Sequence, residues 1–283
     1  MDTVPFEFAE SVCFQNLPCR HYLIKRYSKL SGTFRCCANK LLKEGLVERN
    51  FIDEGRTAYS YFRDFPDTND EIPDFVSNLP KRVLINIVDV RSNTGTSKTN
   101  FKPKTGVCTR LYLCSDSLDF DWISKLNSSI PIPFLLLRIH SEVTLNKVLK
   151  LFLNSKRLVH LQNTLPTESK KTRQMLVDIF LQSQFRRLNL FQLDKPLIEA
   201  IIEAWKADPS NFVGKDLKVK GRFDITRCFF TRKTKTAAAT EVFRFEAKKG
   251  TVEITYWNHK ASFDTTLEDF LEGVTTTAIC FKD

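Results

Sequence analysis

The sequence predicts an α/β protein in three parts: a small N-terminal helical module, an irregular β/α repeat array and a C-terminal β-rich cap. Three observations predict it. One apolar spacing recurs through the middle of the chain, helical periodicity fills the intervals between its instances, and after Gly221 the pattern turns to strands.

The helical module is expected over residues 1–60. Val4, Phe8 and Val12 fall on one helical face, a second apolar stretch runs from Tyr22 to Tyr27, and a third from Phe34 to Val47 through Ala38, Leu41 and Leu42. Three short helices fit this pattern. The stretch RDFPDTNDEIPDF is rich in proline and acidic residues, which suits a connector, so a linker is expected over 61–80. Its carboxylates lack the glycine and glutamate spacing of a calcium-binding EF-hand loop.

The repeat array is expected over 81–222. An apolar residue is followed three places on by a second and two further on by a third. The instances are Cys108, Leu111 and Leu113; Phe134, Leu137 and Ile139; Leu158, Leu161 and Asn163; and Phe185, Leu188 and Leu190. Ile85 and Ile87 precede them, and Leu217 and Val219 follow. Measured at the central residue from Ile85, the steps are 26, 26, 24, 27 and 29 residues, close to the roughly 20 to 29 of leucine-rich repeats. Between the strands, Phe120 to Leu126, Val143 to Leu153, Thr172 to Leu181 and Pro196 to Trp205 have helical spacing. The last is the clearest: Asp194 can cap it, Pro196 suits its first turn, and Leu197, Ile201 and Trp205 recur four apart. Such strand-helix units cannot bury their apolar faces alone. They stack, with a parallel sheet on one side and helices on the other, in a leucine-rich-repeat-like arrangement.

The cap is expected over 223–283, with strands at Phe223 to Phe229, Val242 to Phe245 and Val252 to Tyr256, the last two joined at a KKG turn. The intervening TRKTKTAAAT has no apolar periodicity and reads as a mobile basic loop.

With 43 Lys and Arg against 33 Asp and Glu, the net charge is +10, which favours acidic partners. The acidic start MDTVPFEFAE does not resemble a secretory signal, and no apolar run approaches a membrane span. A soluble, cytoplasmic or nuclear protein without a membrane partner is expected. The eight cysteines form no CxxC pair, so reduced thiols and no metal site or cofactor are expected. GxSxG and HExxH are absent, and the four histidines stand in no catalytic spacing beside a serine or cysteine, so no enzyme is expected. FVGKD, around Lys215, lacks the glycine and hydroxyl positions of a phosphate loop.

The candidate site is the row of strand residues flanking the inward apolar pairs. The period of two sends Arg110, Tyr112, Arg138, His140, His160, Gln162, Arg187, Asn189 and Lys218 outward, with Phe191 beside them. They would form a basic stripe for an acidic protein partner; polar residues are also ordinary at exposed strand positions. A nucleic-acid partner for the basic face is the alternative.

VPFEF at Val4 to Phe8, with Val12, followed by LSGTFRCCANKLLKE, resembles a divergent F-box in which Phe34 stands where the motif usually carries tryptophan. LQSQFRRLNLFQLD, IIEAW and GKDLKVKG are similar to the repeat region of a nematode-expanded family of F-box-like proteins. The resemblance implies a substrate adaptor: the N-terminal module would dock on the Skp-type adaptor of a cullin ubiquitin ligase through Val4, Pro5, Phe8, Val12, Leu30 and Phe34. The repeats would then hold an unidentified protein substrate.

Overall fold

The computed structural model describes residues 4–6, 8–10, 12–13, 22–53, 56–64, 82–91, 107–223, 232–237, 240–247, 250–261, 265 and 267–282. The chain is a mixed α/β protein that divides into two compact units, Met1–Leu136 and Leu137–Asp283.

In the first unit, helical residues between 6 and 13 precede α1 (Tyr22–Tyr27) and α2 (Gly32–Glu44). The strands are β1 (Gly45–Asp53), β2 (Arg56–Asp64), β3 (Arg82–Val90), β4 (Cys108–Leu113) and, at the end of the unit, β5 (Phe134–Leu137). Helix α3 (Phe120–Ser129) lies between β4 and β5. The strand order is β2-β1-β3-β4-β5, with β2 antiparallel to β1, and β1, β3 and β4 mutually parallel.

This corrects the expectation of an all-helical module over 1–60. The third predicted helix ends at Glu44 rather than Val47: Gly45 is extended, at φ −75° and ψ 137°, and its N–H closes the helix on the Leu41 carbonyl. The chain then enters β1, where Val47, Phe51 and Ile52 are buried. Helices and hairpin form one packed body because Ala9, Cys13, Ile24, Cys37, Ala38 and Leu41 bury their side chains with Val47, Ile85 and Ile87 of the sheet. The expected linker begins inside β2, which reaches Asp64; the rest of it, from residue 65, lies outside the described residues.

Strand β3 also corrects the phase of the first repeat. The repeat spacing aligns Ile85 and Ile87 with Leu111 and Leu113, yet Val88 pairs Leu111 and Val90 pairs Leu113, while Ile85 and Ile87 sit opposite Cys108 and Arg110. Residues 85 to 90 are all buried, and a strand covered on both faces carries no alternation from which its phase can be read.

The second unit contains α4 (Glu142–Ser155), β6 (His160–Asn163), α5 (Lys170–Leu181), β7 (Arg187–Leu190), α6 (Lys195–Ala207), a 3-10 turn at Pro209–Phe212 and β8 (Asp216–Lys220). It continues through β9 (Arg232–Ala237), β10 (Thr240–Ala247), β11 (Gly250–Trp257), α7 (Leu267–Glu272) and β12 (Thr276–Lys282). Its strand order is β6-β7-β8-β12-β11-β10-β9. Strands β6, β7 and β8 are parallel, and the pairs from β8 outward are antiparallel.

Here the expected register is observed: Leu161, Leu188 and Leu217 are cross-strand partners, as are Asn163, Leu190 and Val219. Helices α4, α5 and α6 each open on an oxygen-bearing side chain that accepts from a first-turn backbone N–H. Ser141 accepts from Thr144, Ser169 from Thr172 and Asp194 from Leu197. The predicted face of α6 is in place, with Leu197, Ile201 and Trp205 buried. Trp205 and Phe281 lie 6.2 Å apart, and Phe180, Phe212 and Phe281 fill the same core at centroid separations of 5.0 to 5.9 Å.

Two features of the cap differ from expectation. The stretch read as a mobile loop supplies β9, whose backbone pairs with β10, and the run expected to hold strands alone contains α7. Pairing with a neighbour stabilises a strand that lacks an apolar pattern of its own. The hairpin at KKG is present, closed by the pair Ala247 and Gly250. The strand expected at Phe223 to Phe229 lies outside the described residues from residue 224 on.

Candidate binding surfaces

The predicted docking residues divide by exposure. Val4, Val12 and Phe34 are half-buried; Val4 and Phe34 pack against the helix-sheet core, and the Phe34 ring lies 5.8 Å from that of Tyr27. Pro5 is exposed, as are Phe8 at 58% and Leu30 at 38% of their surfaces. Phe8 is therefore presented outward by the same helical turn whose Ala9 is fully buried.

The predicted partner-binding row is broken in the first unit. Arg110 and Tyr112 share a sheet face with Ile85 and Ile87, and that face is the one the N-terminal helices cover. Tyr112 is half-buried there, 5.8 Å from the Phe134 ring, and the Arg110 guanidinium lies 5.2 Å from the same ring. Neither residue is openly presented. Alternation does send them away from Leu111, but a second layer occupies that side. The same face holds an arrangement not foreseen from sequence: Arg49 pairs with Asp89 at 2.7 Å and stacks over Phe51 and Tyr112 at 4.8 and 5.5 Å.

In the second unit, Arg138 and His140 are exposed beyond the end of β5, and Phe191 is 45% exposed beyond the end of β7. Gln162 and Asn189 are half-buried, and Lys218 is exposed with its Nζ 5.9 Å from the Trp257 ring. His160 departs from expectation: only 5% of its surface is exposed, so it is part of the packing and not of an open face.

Register also changes the charge of the row. Arg187 lies across from His160 on one side and Asp216 on the other, and its Nη2 donates to Asp216 Oδ2 at 2.8 Å. The row continues through Cys280 to Glu253, which accepts from Lys282 at 2.7 Å. The Cys280 thiol is pushed up to about 12, first by burial and then by the Asp216 carboxylate. Lys218 belongs to the next row, with Gln162, Asn189 and Ala278. The expected basic stripe is thus a pair of mixed rows. Asp216, two residues before Lys218 and on its face, was the legible signal for this.

Lys215 acts as a strut. It is 1% exposed, and its Nζ donates to the carbonyls of Phe180 at 2.7 Å and Gln182 at 3.0 Å at the end of α5. Burial, with a smaller contribution from Arg186, lowers its pKa from 10.5 to about 8.

A cavity of about 190 Å³ lies where the loops leaving β5 and β6 enter their helices, with Ile139, His140, Glu142, Leu165 and Glu168 in its lining. Parallel strands direct their C-terminal ends toward such clefts. Glu142 Oε1 accepts from the Ser169 N–H at 3.0 Å and the Thr172 hydroxyl at 2.6 Å. The Ser169 and Thr172 bonds hold its carboxyl below the usual range.

Among the described residues, no group of three or more His, Cys, Asp or Glu is placed to hold a metal ion, and no helix is long and apolar enough to cross a membrane. The chain matches no protein-family model, no curated protein sequence and no solved structure.

Proposed function

We propose that this chain is a non-enzymatic protein-interaction module, an F-box-like substrate adaptor whose N-terminal helices dock on a Skp-type adaptor of a cullin ubiquitin ligase. Its second unit would hold the protein to be modified. The observation that carries this reading is Phe8, 58% exposed on a helical turn whose neighbour Ala9 is locked into the core. A large apolar side chain held outward by a fixed layer suits a partner's groove better than it suits water. Such a module performs no chemistry; it raises the local concentration of a substrate beside the ligase. On the second unit, Arg138, Phe191 and Lys218 are exposed for the substrate.

The test uses the full chain, because β1, within the first 60 residues, pairs with β3 beyond them. Purified Skp-type adaptor should associate with the wild type at micromolar concentration, and Phe8→Glu with Leu30→Glu should abolish association without lowering thermal stability. No association of the wild type, or unchanged association of the double variant, removes the ligase role. A steep fall in nucleic-acid affinity with added salt would instead favour the basic face as a nucleic-acid contact.

A further inference from the structure

The cavity at the loop edge of the second unit has walls set by the fold. Thr164 donates both its N–H and its hydroxyl to the Leu137 carbonyl, each at 3.0 Å, which ties the loop after β6 to the end of β5. The Thr167 N–H donates to Asp194 Oδ2 at 3.3 Å, and Ser169 and Thr172 hold Glu142. The site is therefore formed before any partner arrives, which limits the ordering cost of binding.

Its lining is mixed. Ile139, Leu145, Leu165 and Pro166 provide apolar walls, Glu142 and Glu168 provide carboxylates, and His140 and Thr167 add an imidazole and a hydroxyl. Among the described residues no lysine or arginine lines it, although the chain carries 43 of them against 33 acidic residues. Arg173, whose charge acts on Glu142, is itself committed to Asp194 at 3.2 Å and to the Thr167 carbonyl at 2.7 Å. Both internal bonds to Glu142 use Oε1, and Glu168 is exposed. At about 190 Å³ the cavity falls below the roughly 300 to 1,000 Å³ of sites for drug-sized ligands. Its size suits one side chain.

We infer that this cavity is a specificity pocket for a single arginine side chain on a protein partner, with the methylene stem against the apolar walls and the guanidinium between Glu142 and Glu168. Arginine combines an apolar stem with a planar fork of donors that matches carboxylates. The inference rests on the protein-interaction reading and names the chemistry by which the second unit selects its substrate. It also reverses the charge expected of that partner at this point: the recognised group is a cation, in a protein whose net charge is positive.

The experiment titrates the full chain with N-acetyl-arginine amide and with its neutral isostere N-acetyl-citrulline amide, reading backbone amide shifts. Saturable shifts are expected at residues 139–145, 165, 167 and 168, with binding about tenfold tighter for the arginine probe, because its hydrogen bonds are charge-assisted. Glu168→Gln, at an exposed position, should lower that preference, and adding Glu142→Gln should remove it. Shifts located elsewhere, no saturable shift, equal affinity for the two probes, or a preference kept by the double variant would each overturn the pocket. Association with the Skp-type adaptor is measured separately at the N-terminal module. A bound arginine probe with no adaptor association would leave the pocket standing and the ligase role refuted, and the opposite result would do the reverse.

Discussion

Replacing Lys215 by methionine separates the two opposing effects of a buried ammonium. The side chain is 1% exposed, spans from the entry of β8 to the C-terminal end of α5, and passes Phe180 and Phe212 with its Nζ 5.7 and 5.8 Å from their ring centroids. Methionine has similar length and apolar volume, so packing is largely kept. It leaves the Phe180 carbonyl without this donor, which costs about 1–3 kcal/mol for a buried group left unsatisfied, while the Gln182 carbonyl keeps the Phe185 N–H at 3.0 Å. It also removes a charge whose burial lowers the folded-state pKa from 10.5 to about 8, and at about 1.4 kcal/mol per unit this is worth about 3 kcal/mol in the opposite direction. Near pH 7 the two effects are comparable and the variant should differ little from the wild type.

The pH dependence gives the decisive signal. Since the folded pKa lies below the unfolded one, the unfolded chain holds more protons between pH 8 and 10.5, and stability from this group rises with pH in that window. Urea unfolding of both proteins at pH 7.5 and 9.5 isolates it, because every other titrating group is common to the two. The stability difference, wild type minus Lys215→Met, should grow in favour of the wild type by about 2 kcal/mol across that interval. A difference that stays flat, or that shrinks as pH rises, refutes the assignment of Lys215 as a desolvated strut.

Two further substitutions probe the second unit. Asp194→Ala removes the cap of α6 and the partner of Arg173 together, from a side chain 6% exposed, and should lower stability by about 3 kcal/mol in urea unfolding; Ser141→Ala, a simple cap, should lose about 1. Arg187→Glu places a second carboxylate against Asp216 and should lower the melting temperature, whereas Arg138→Glu at an exposed position should stay within about 0.5 kcal/mol of the wild type. Equal effects of the two arginine variants would contradict the ion pair.

What could be read from sequence was local. The Asp194 cap, the Pro196 start and the four-residue recurrence of Leu197, Ile201 and Trp205 located α6 because each rests on neighbours within one or two turns. The shared spacing around Leu161, Leu188 and Leu217 gave their common register for a similar reason: one side of those strands is apolar except for Asn163. The cavity was not legible, since its lining comes from two loops about 25 residues apart whose side chains show no pattern in common. Phe8 was singled out for its place on a helical face, but nothing in its spacing distinguished an outward residue from a core one.

The sequence by itself determined the α/β class, the start of α6 and the inward rungs of β6, β7 and β8. The tertiary structure alone decided which layer covers each sheet face and which charges meet. The covering of Tyr112 by the N-terminal helices, the pairing of Arg187 with Asp216 and the insertion of Lys215 against α5 all join residues at least 29 positions apart. Periodicity reports which way a side chain points relative to its own backbone. What waits there is supplied by another part of the chain, and only packing brings the two together.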